Sequence, residues 1–175
     1  MNSSLETVFE KLERQRSQIL NRVKDLPEQK FTTAPPGKWS IAQILMHLLA
    51  SERLSVAYMT KKSLGIDSLK NSGLKQSLLS VLLKISQRIP ALKFKAPKVV
   101  VENTPAALSL EALISEWDKS RANLKQLLES IPERHLRKLI YKHPIAGMLN
   151  VRQAVKFMYE HVHHHSPQIK NLLKS

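Results

Sequence analysis

The sequence predicts an all-α protein. The chain has 175 residues, of which only four are glycine and 5% are aromatic. Long stretches rich in Leu, Ile and Lys repeat with the period of a helix and favour helices throughout. A chain of this length can bury a sizeable core, so we expect residues 1–175 to form a single domain.

Composition excludes several classes of site. The chain has no cysteine, which rules out disulfides, thiolate metal sites and a cysteine nucleophile. The N-terminal residues are charged and amphipathic rather than signal-like, and no apolar run is long enough to span a membrane. We therefore expect a soluble, cytoplasmic protein.

The first 60 residues predict two helices separated by a connector. The first ends between Lys24 and Pro27, and a turn-rich connector containing two prolines follows it. Ser40 and Gln43 then form a predicted capping box, which opens a second helix through about Thr60. We expect Trp39 to pack on Ile44 as a hydrophobic staple. The residues predicted to form the buried stripe of the second helix are Ile41, Ile44, Leu45, Leu48, Ser55, Val56 and Met59.

Residues 61–105 form a basic insert, or crossover, between the predicted helices. From Lys61 to Lys98 there are nine basic residues against Asp67 alone, a net +8 within the +14 of the whole chain. The insert contains a cationic amphipathic helix that Pro90 ends. Its apolar side comprises Leu74, Leu78, Leu82, Ile85 and Ile89. We expect the insert to cover the protein or line its mouth, and docking on an anionic membrane surface is the alternative.

Two further helices complete the chain. Ser109 caps the first of them and Pro132 closes it. Residues 136–150 read as a connector with turns at Pro144 and Gly147. Asn150 then caps a last helix that extends to about residue 173, with Gln153 at its third position.

Histidines on two of the helices suggest a metal site. His161 and His165 are four residues apart at the edge of an apolar stripe, so their rings can converge on one point, whereas His163 faces solvent and His164 lies between. A hydrogen-bonded core pair would have the same spacing. His47 lies at the corresponding edge of the second helix, where it could supply a third ligand or be an ordinary core histidine.

Glu52 lies near the middle of the apolar face of the second helix. A buried carboxylate needs partners. We expect an ion pair with an Arg or Lys of a neighbouring helix, and the alternative is a hydrogen bond that orients a ligand histidine.

Two segments resemble a known family. PPGKWSIAQILMHLLASER, followed late in the chain by KHPIAGMLNVRQAVKFMYEHVHHHSPQI, is similar to the DinB-like, bacillithiol-transferase-related superfamily. The resemblance implies a four-helix bundle with a long crossover, and it places the metal ligands on His47, His161 and His165. Dimers are common in the family, so it also implies a homodimer. Pro167 within the last helix departs from the family pattern and predicts a kink after the ligands.

The leading functional hypothesis is a divalent-metal-dependent enzyme, with zinc, nickel, iron or manganese as the candidate ions. It would transfer a low-molecular-weight thiol to a small electrophile or act as a hydrolase. Basic residues of the insert could bind an anionic substrate. A non-enzymatic metal-binding or stress-associated interaction protein is one alternative, and a basic nucleic-acid or membrane-surface binder is a weaker one. We do not expect nucleic acid, because no known motif is present and Phe94 is the only aromatic residue of the basic segment.

Overall fold

The computed structural model describes residues 1–89, 98–102, 104 and 108–174, and four long helices dominate it. The helices are α1 (Ser3–Val23), α2 (Glu28–Thr32), α3 (Ile41–Ser63), α4 (Leu74–Arg88), α5 (Lys98–Glu102), α6 (Leu110–Ser130) and α7 (Val151–Lys174). Short 3-10 turns occupy Ile66–Ser68 and Glu133–His135. A two-stranded hairpin of β1 (Leu139–His143) and β2 (Gly147–Asn150) precedes α7.

The long helices α1, α3, α6 and α7 pack around one hydrophobic core. Helix α7 lies against α1 and α3, and α3 also packs on α6. Leu12, Leu45, Trp117 and Val155 meet in this core without measurable exposure. Burying a side chain of this kind stabilises the fold by about 1.5–3 kcal/mol. The predicted four-helix bundle with a crossover between its second and third long helices is confirmed.

The predicted helix starts are also confirmed. The Ser40 hydroxyl accepts a hydrogen bond from the Gln43 backbone N–H, and the Gln43 side chain accepts one from the Ser40 backbone N–H. Asn150 and Gln153 form the same reciprocal pair before α7. Because these bonds satisfy backbone donors that a helix leaves unpaired, they fix where α3 and α7 begin.

The hairpin was not predicted, because its segment was interpreted as a connector. Both predicted turn signals are real: Pro144 begins the three-residue turn and Gly147, with φ of 68°, follows it. The strands have five and four residues, which is too short for a two-residue period to stand out. Strand β1 packs on α3 and α7, which brings its last residue, His143, to the histidine cluster.

Helix α4 forms as predicted, but its apolar stripe faces solvent rather than the protein. Its buried residues are Leu83 and Gln87, and it packs on α7. The apolar stripe predicted to cover the protein is exposed instead. Helix α7 continues through Pro167, so the expected kink there remains a prediction.

Candidate metal centre

Three imidazoles meet where α3 packs against α7. His47 comes from the second turn of α3, while His161 and His165 are one turn apart on α7. The three ring centroids form a nearly equilateral triangle with sides of 5.1, 5.1 and 5.0 Å. One nitrogen from each ring lies within 4.8 Å of the other two. The structure therefore brings together the three histidines that the sequence singled out.

Neighbouring side chains hold the rings in place. The Nδ1 atom of His165 lies 2.9 Å from Oε1 of Gln168, one turn further along α7. An amide oxygen only accepts, so Nδ1 carries the hydrogen and Nε2 keeps its lone pair. The indole of Trp39 stacks on His165 with centroids 6.3 Å apart and lies 5.0 Å from His47. Trp39 therefore covers one side of the cluster, while its expected packing on Ile44 stays a prediction.

The cluster is electrically neutral near pH 7. Burial and, to a lesser extent, neighbouring histidines lower the pKa of both His47 and His165 to about 4, although the Gln168 hydrogen bond opposes the shift of His165. Burial also holds the pKa of His161 well below its usual value, with His165 and His47 as the next causes. Neutral imidazoles have free lone pairs, which is the state that binds metal.

The donor set and its spacing fit a divalent ion. The Nε2 atoms of His47 and His161 are 3.2 Å apart. Two nitrogens bound tetrahedrally to one zinc ion at 2.0–2.1 Å would be about 3.3–3.4 Å apart. Three nitrogen ligands with no carboxylate or thiolate suit zinc, nickel, iron or copper better than magnesium or calcium.

His143 lies beside the three histidines, a position that the sequence analysis did not predict. The backbone N–H groups of Ile145 and Ala146 donate to its Nδ1 at 3.1 and 3.0 Å. With Nδ1 accepting, the neutral ring carries its hydrogen on Nε2. Burial lowers the pKa of His143 to about 4, which keeps this form at neutral pH. Phe157 lies between the rings of His143 and His161, with centroids at 4.4 and 5.5 Å respectively, so His143 is a neighbour of the triangle rather than part of it.

A cavity of about 1280 Å³ opens beside the histidines. Its lining includes the three clustered rings and His143, and the rest is mainly apolar and aromatic. Helix α4 supplies Leu83, Gln87 and Arg88 to the wall, and α5 supplies Val100. The crossover therefore lines the mouth of the site, as one of its predicted roles required. A cavity of this size holds a drug-sized molecule with room to spare.

The comparisons with known proteins agree with this architecture. A profile of the DinB superfamily matches residues 11–169. The chain belongs to the DinB superfamily. Among solved structures, YfiT from Bacillus subtilis matches with a TM-score of 0.62 at 13% sequence identity, over 99% of this chain and 88% of that one. YfiT is described as "a probable metal-dependent hydrolase with an unusual four-helix bundle topology". A search of the curated proteins found no match.

Within this DinB fold, Glu52 has the structural role that we expected. Its carboxylate accepts hydrogen bonds from three α6 residues: Arg121 at 2.9 Å, Ser120 at 2.9 Å and Trp117 at 3.3 Å. A second bond joins Arg121 to Glu13 of α1 at 2.8 Å. The buried carboxylate thus ties α3 to α6.

Of the insert's basic residues, Arg88 lies in the cavity wall. Its guanidinium makes two hydrogen bonds to the Glu160 carboxylate, at 2.7 and 3.0 Å. Glu160 precedes His161, so this pair fastens the end of α4 beside the cluster. Arg88 is therefore already neutralised, while Lys93 and Lys95 lie outside the described residues.

Proposed function

We propose that this DinB-superfamily protein is a metal-dependent hydrolase whose divalent ion is held by His47, His161 and His165. The observation that carries the proposal is the convergence of three neutral imidazoles, with two ligand nitrogens 3.2 Å apart, at the wall of a large cavity. Three protein ligands leave a coordination position open, which is the arrangement of catalytic rather than structural zinc sites. The fold likeness to YfiT, described as a probable metal-dependent hydrolase, supports the same reaction class.

A metal ion bound here would supply a hydroxide near neutral pH and polarise the bond that it attacks. The chain itself has no cysteine, so it has no thiolate nucleophile to offer. The chain's own residues orient the metal-binding rings and enclose the site. Gln168 fixes the tautomer of His165, and Trp39 covers the rings on one side. The mainly apolar lining would strengthen the electrostatic interactions of groups bound against it.

His143 completes this arrangement as a hydrogen-bond donor. Two backbone N–H groups occupy its Nδ1 atom, so the hydrogen on Nε2 is available in the cavity wall. A neutral imidazole donor in the wall of the same cavity, on the other side of Phe157 from His161, would bind the oxygen of a substrate on which negative charge develops during hydrolysis. We assign His143 this positioning role within the proposed reaction.

The second candidate is a transferase that moves a low-molecular-weight thiol to an electrophile. The cavity volume of about 1280 Å³ favours it, because the space exceeds what one small substrate needs. The co-substrate would provide the thiol, which ionises when it binds the metal. The same three histidines would serve both reactions.

The first test is metal content. The protein is purified without nickel resin and analysed by elemental mass spectrometry. We expect about one divalent ion per chain in the wild type and a loss of at least tenfold in His161→Ala. His163→Ala is the matched control, because His163 is exposed on the same helix and should leave metal content unchanged. Metal absent from the wild type, or equal in all three proteins, would refute the assignment.

The second test separates the two reactions. The metal-loaded protein is assayed on a panel of esters and amides, and then on electrophiles with bacillithiol, glutathione or mycothiol. Hydrolysis without thiol that His143→Gln slows while metal content stays constant supports the hydrolase. Turnover that requires a thiol supports the transferase. A metal-loaded protein inactive in both panels supports the non-enzymatic alternative.

A further inference from the structure

The outer face of α4 is apolar and unburied. Five of its side chains, and that of Ile89 directly after it, are between 41% and 91% exposed; the five are Leu74, Leu78, Val81, Leu82 and Ile85. At 100° per residue, they fall within an arc of about 100° on one side of the helix. Folded proteins in water rarely leave so many adjacent aliphatic side chains uncovered unless the patch binds something.

The inner face of α4 is already used. Leu83 and Gln87 are buried against the protein, and α4 packs on α7 and β2. Two attachments secure the end of the helix, namely the Arg88–Glu160 pair and a 2.9 Å contact between His164 Nδ1 and the Gln87 carbonyl oxygen. The orientation of α4 is therefore set, and its outer face points away from the core.

Positive charge borders the exposed face on both sides. Helix α4 contains no acidic residue. On the helical wheel Lys75 lies at one edge of the apolar arc, and Lys84 and Arg88 lie at the other. Lys75 and Lys84 are exposed, whereas Glu160 pairs with Arg88. An apolar face bordered by lysines, whose alkyl chains reach along it, is the pattern of helices that lie in a membrane interface.

The Lys84 edge continues onto neighbouring helices. Lys156 of α7 has a lowered pKa, first because it is partly buried and then because Arg152, Lys84 and Lys11 lie close to it. The Glu160 carboxylate raises the pKa of Lys156, but its influence is the smallest of those that act on this group. Four cations therefore gather along this edge of α4.

We propose that α4 docks on an anionic lipid bilayer surface, with its apolar face in the acyl–headgroup boundary and its lysines against lipid phosphates. The positive charge beside the apolar face favours an anionic lipid surface over a second copy of the chain or nucleic acid. A second copy of the chain related by a two-fold axis would bring the two sets of cations together, which is unfavourable. Nucleic acid would contact the cations, but it would leave the exposed aliphatic side chains without an apolar partner. The helix would lie flat, since 15 residues span only about 22 Å.

The test is flotation of the full-length protein with two kinds of vesicle, one of phosphatidylcholine alone and one containing about a third phosphatidylglycerol. We expect binding to the anionic vesicles at low salt and little to the neutral ones. Leu78→Ser combined with Ile85→Ser should weaken binding at least tenfold, because both side chains are exposed and would enter the interface. Circular dichroism checks that this variant remains folded.

Charge variants provide the matched control. Lys75→Glu with Lys84→Glu should weaken binding by at least 25-fold, since each lysine near an anionic surface contributes about fivefold. Lys119→Glu with Lys125→Glu makes the same change of net charge on exposed positions of α6 and should have much less effect. His161→Ala should bind vesicles normally, because docking does not depend on the proposed metal.

Three outcomes would overturn the proposal. One is absence of binding to anionic vesicles. Another is equal loss of binding in the α4 and α6 charge variants, which would indicate non-specific attraction. The third is an unchanged vesicle affinity in the serine variant, above all if that variant changes from dimer to monomer in sedimentation, because the face would then join two copies.

Discussion

Replacing Glu52 tests how the histidine-bearing helix α3 is held in place. Glu52→Ala removes the acceptor of three hydrogen bonds that Arg121, Ser120 and Trp117 donate. Both charged side chains of the pair are almost inaccessible to solvent, at 3% and 4%. The guanidinium would keep Glu13 but lose its buried partner. Breaking a buried ion pair by removing one side costs about 3–5 kcal/mol, a large part of the 5–15 kcal/mol typical of a domain.

The assay is urea unfolding followed by far-UV circular dichroism, on the metal-free protein at pH 7. We expect Glu52→Ala to lose about 3–5 kcal/mol. The double variant Glu52→Leu with Arg121→Met should lose less than Glu52→Ala alone, since it leaves no buried charge unpaired. Lys119→Ala is the control, because its pair with Glu116 is exposed and should contribute less than about 1 kcal/mol.

Two results would contradict this reasoning. One is a loss below about 1 kcal/mol in Glu52→Ala, and the other is a double variant that loses the sum of its single changes. Glu52→Gln adds a functional check. It should leave metal affinity unchanged, since the hydrogen bonds of Glu52 go to α6. A 10- to 100-fold fall in affinity would instead show that Glu52 supports a ligand histidine.

Three other substitutions have defined expectations. Gln168→Ala should lower metal affinity about 10- to 100-fold in a competitive chelator titration, because His165 loses its orienting bond, and unchanged affinity would argue against that role. His143 has a folded pKa of about 4 against an ordinary 6.5, so its stabilising contribution is present above pH 6.5 and lost as pH falls towards 4. Between pH 7 and pH 5, metal-free wild type should therefore lose about 2 kcal/mol more than His143→Gln in urea unfolding, and parallel losses would refute this. Gly147→Ala should lower the unfolding free energy by about 1 kcal/mol, since φ is 68° with open space around it, and an unchanged midpoint would contradict the strain argument.

Helical period in the sequence predicted the all-α class and placed the three histidines at helix edges, whereas the four-helix bundle was what the family resemblance implied. His47, His161 and His165 lie on the edges of apolar stripes, and the stripes decide which helix sides meet. His143 could not be found in this way. Its place depends on a hairpin of nine strand residues and on a tertiary contact of β1 with α3 and α7. Pro144 after it indicated only a non-helical backbone.

Helical periodicity could not predict which side of α4 faces the protein. Periodicity identified its apolar side correctly, and the usual inference is that such a side is buried. The structure buries Leu83 and Gln87 instead, because Arg88 and Gln87 are attached to α7 next to the histidines. Local polar contacts that no periodic pattern records thus determine which way the helix faces.

The histidine triangle and part of the cavity wall lie on different helices, so one can change without the other. The triangle belongs to α3 and α7, whereas part of the cavity wall belongs to α4 and α5. A change at Leu83 or Val100 alters the shape of the space while the three imidazoles keep their positions. If the proposed metal site is correct, substitutions in the crossover would change which molecules fit the cavity without moving the residues that hold the ion.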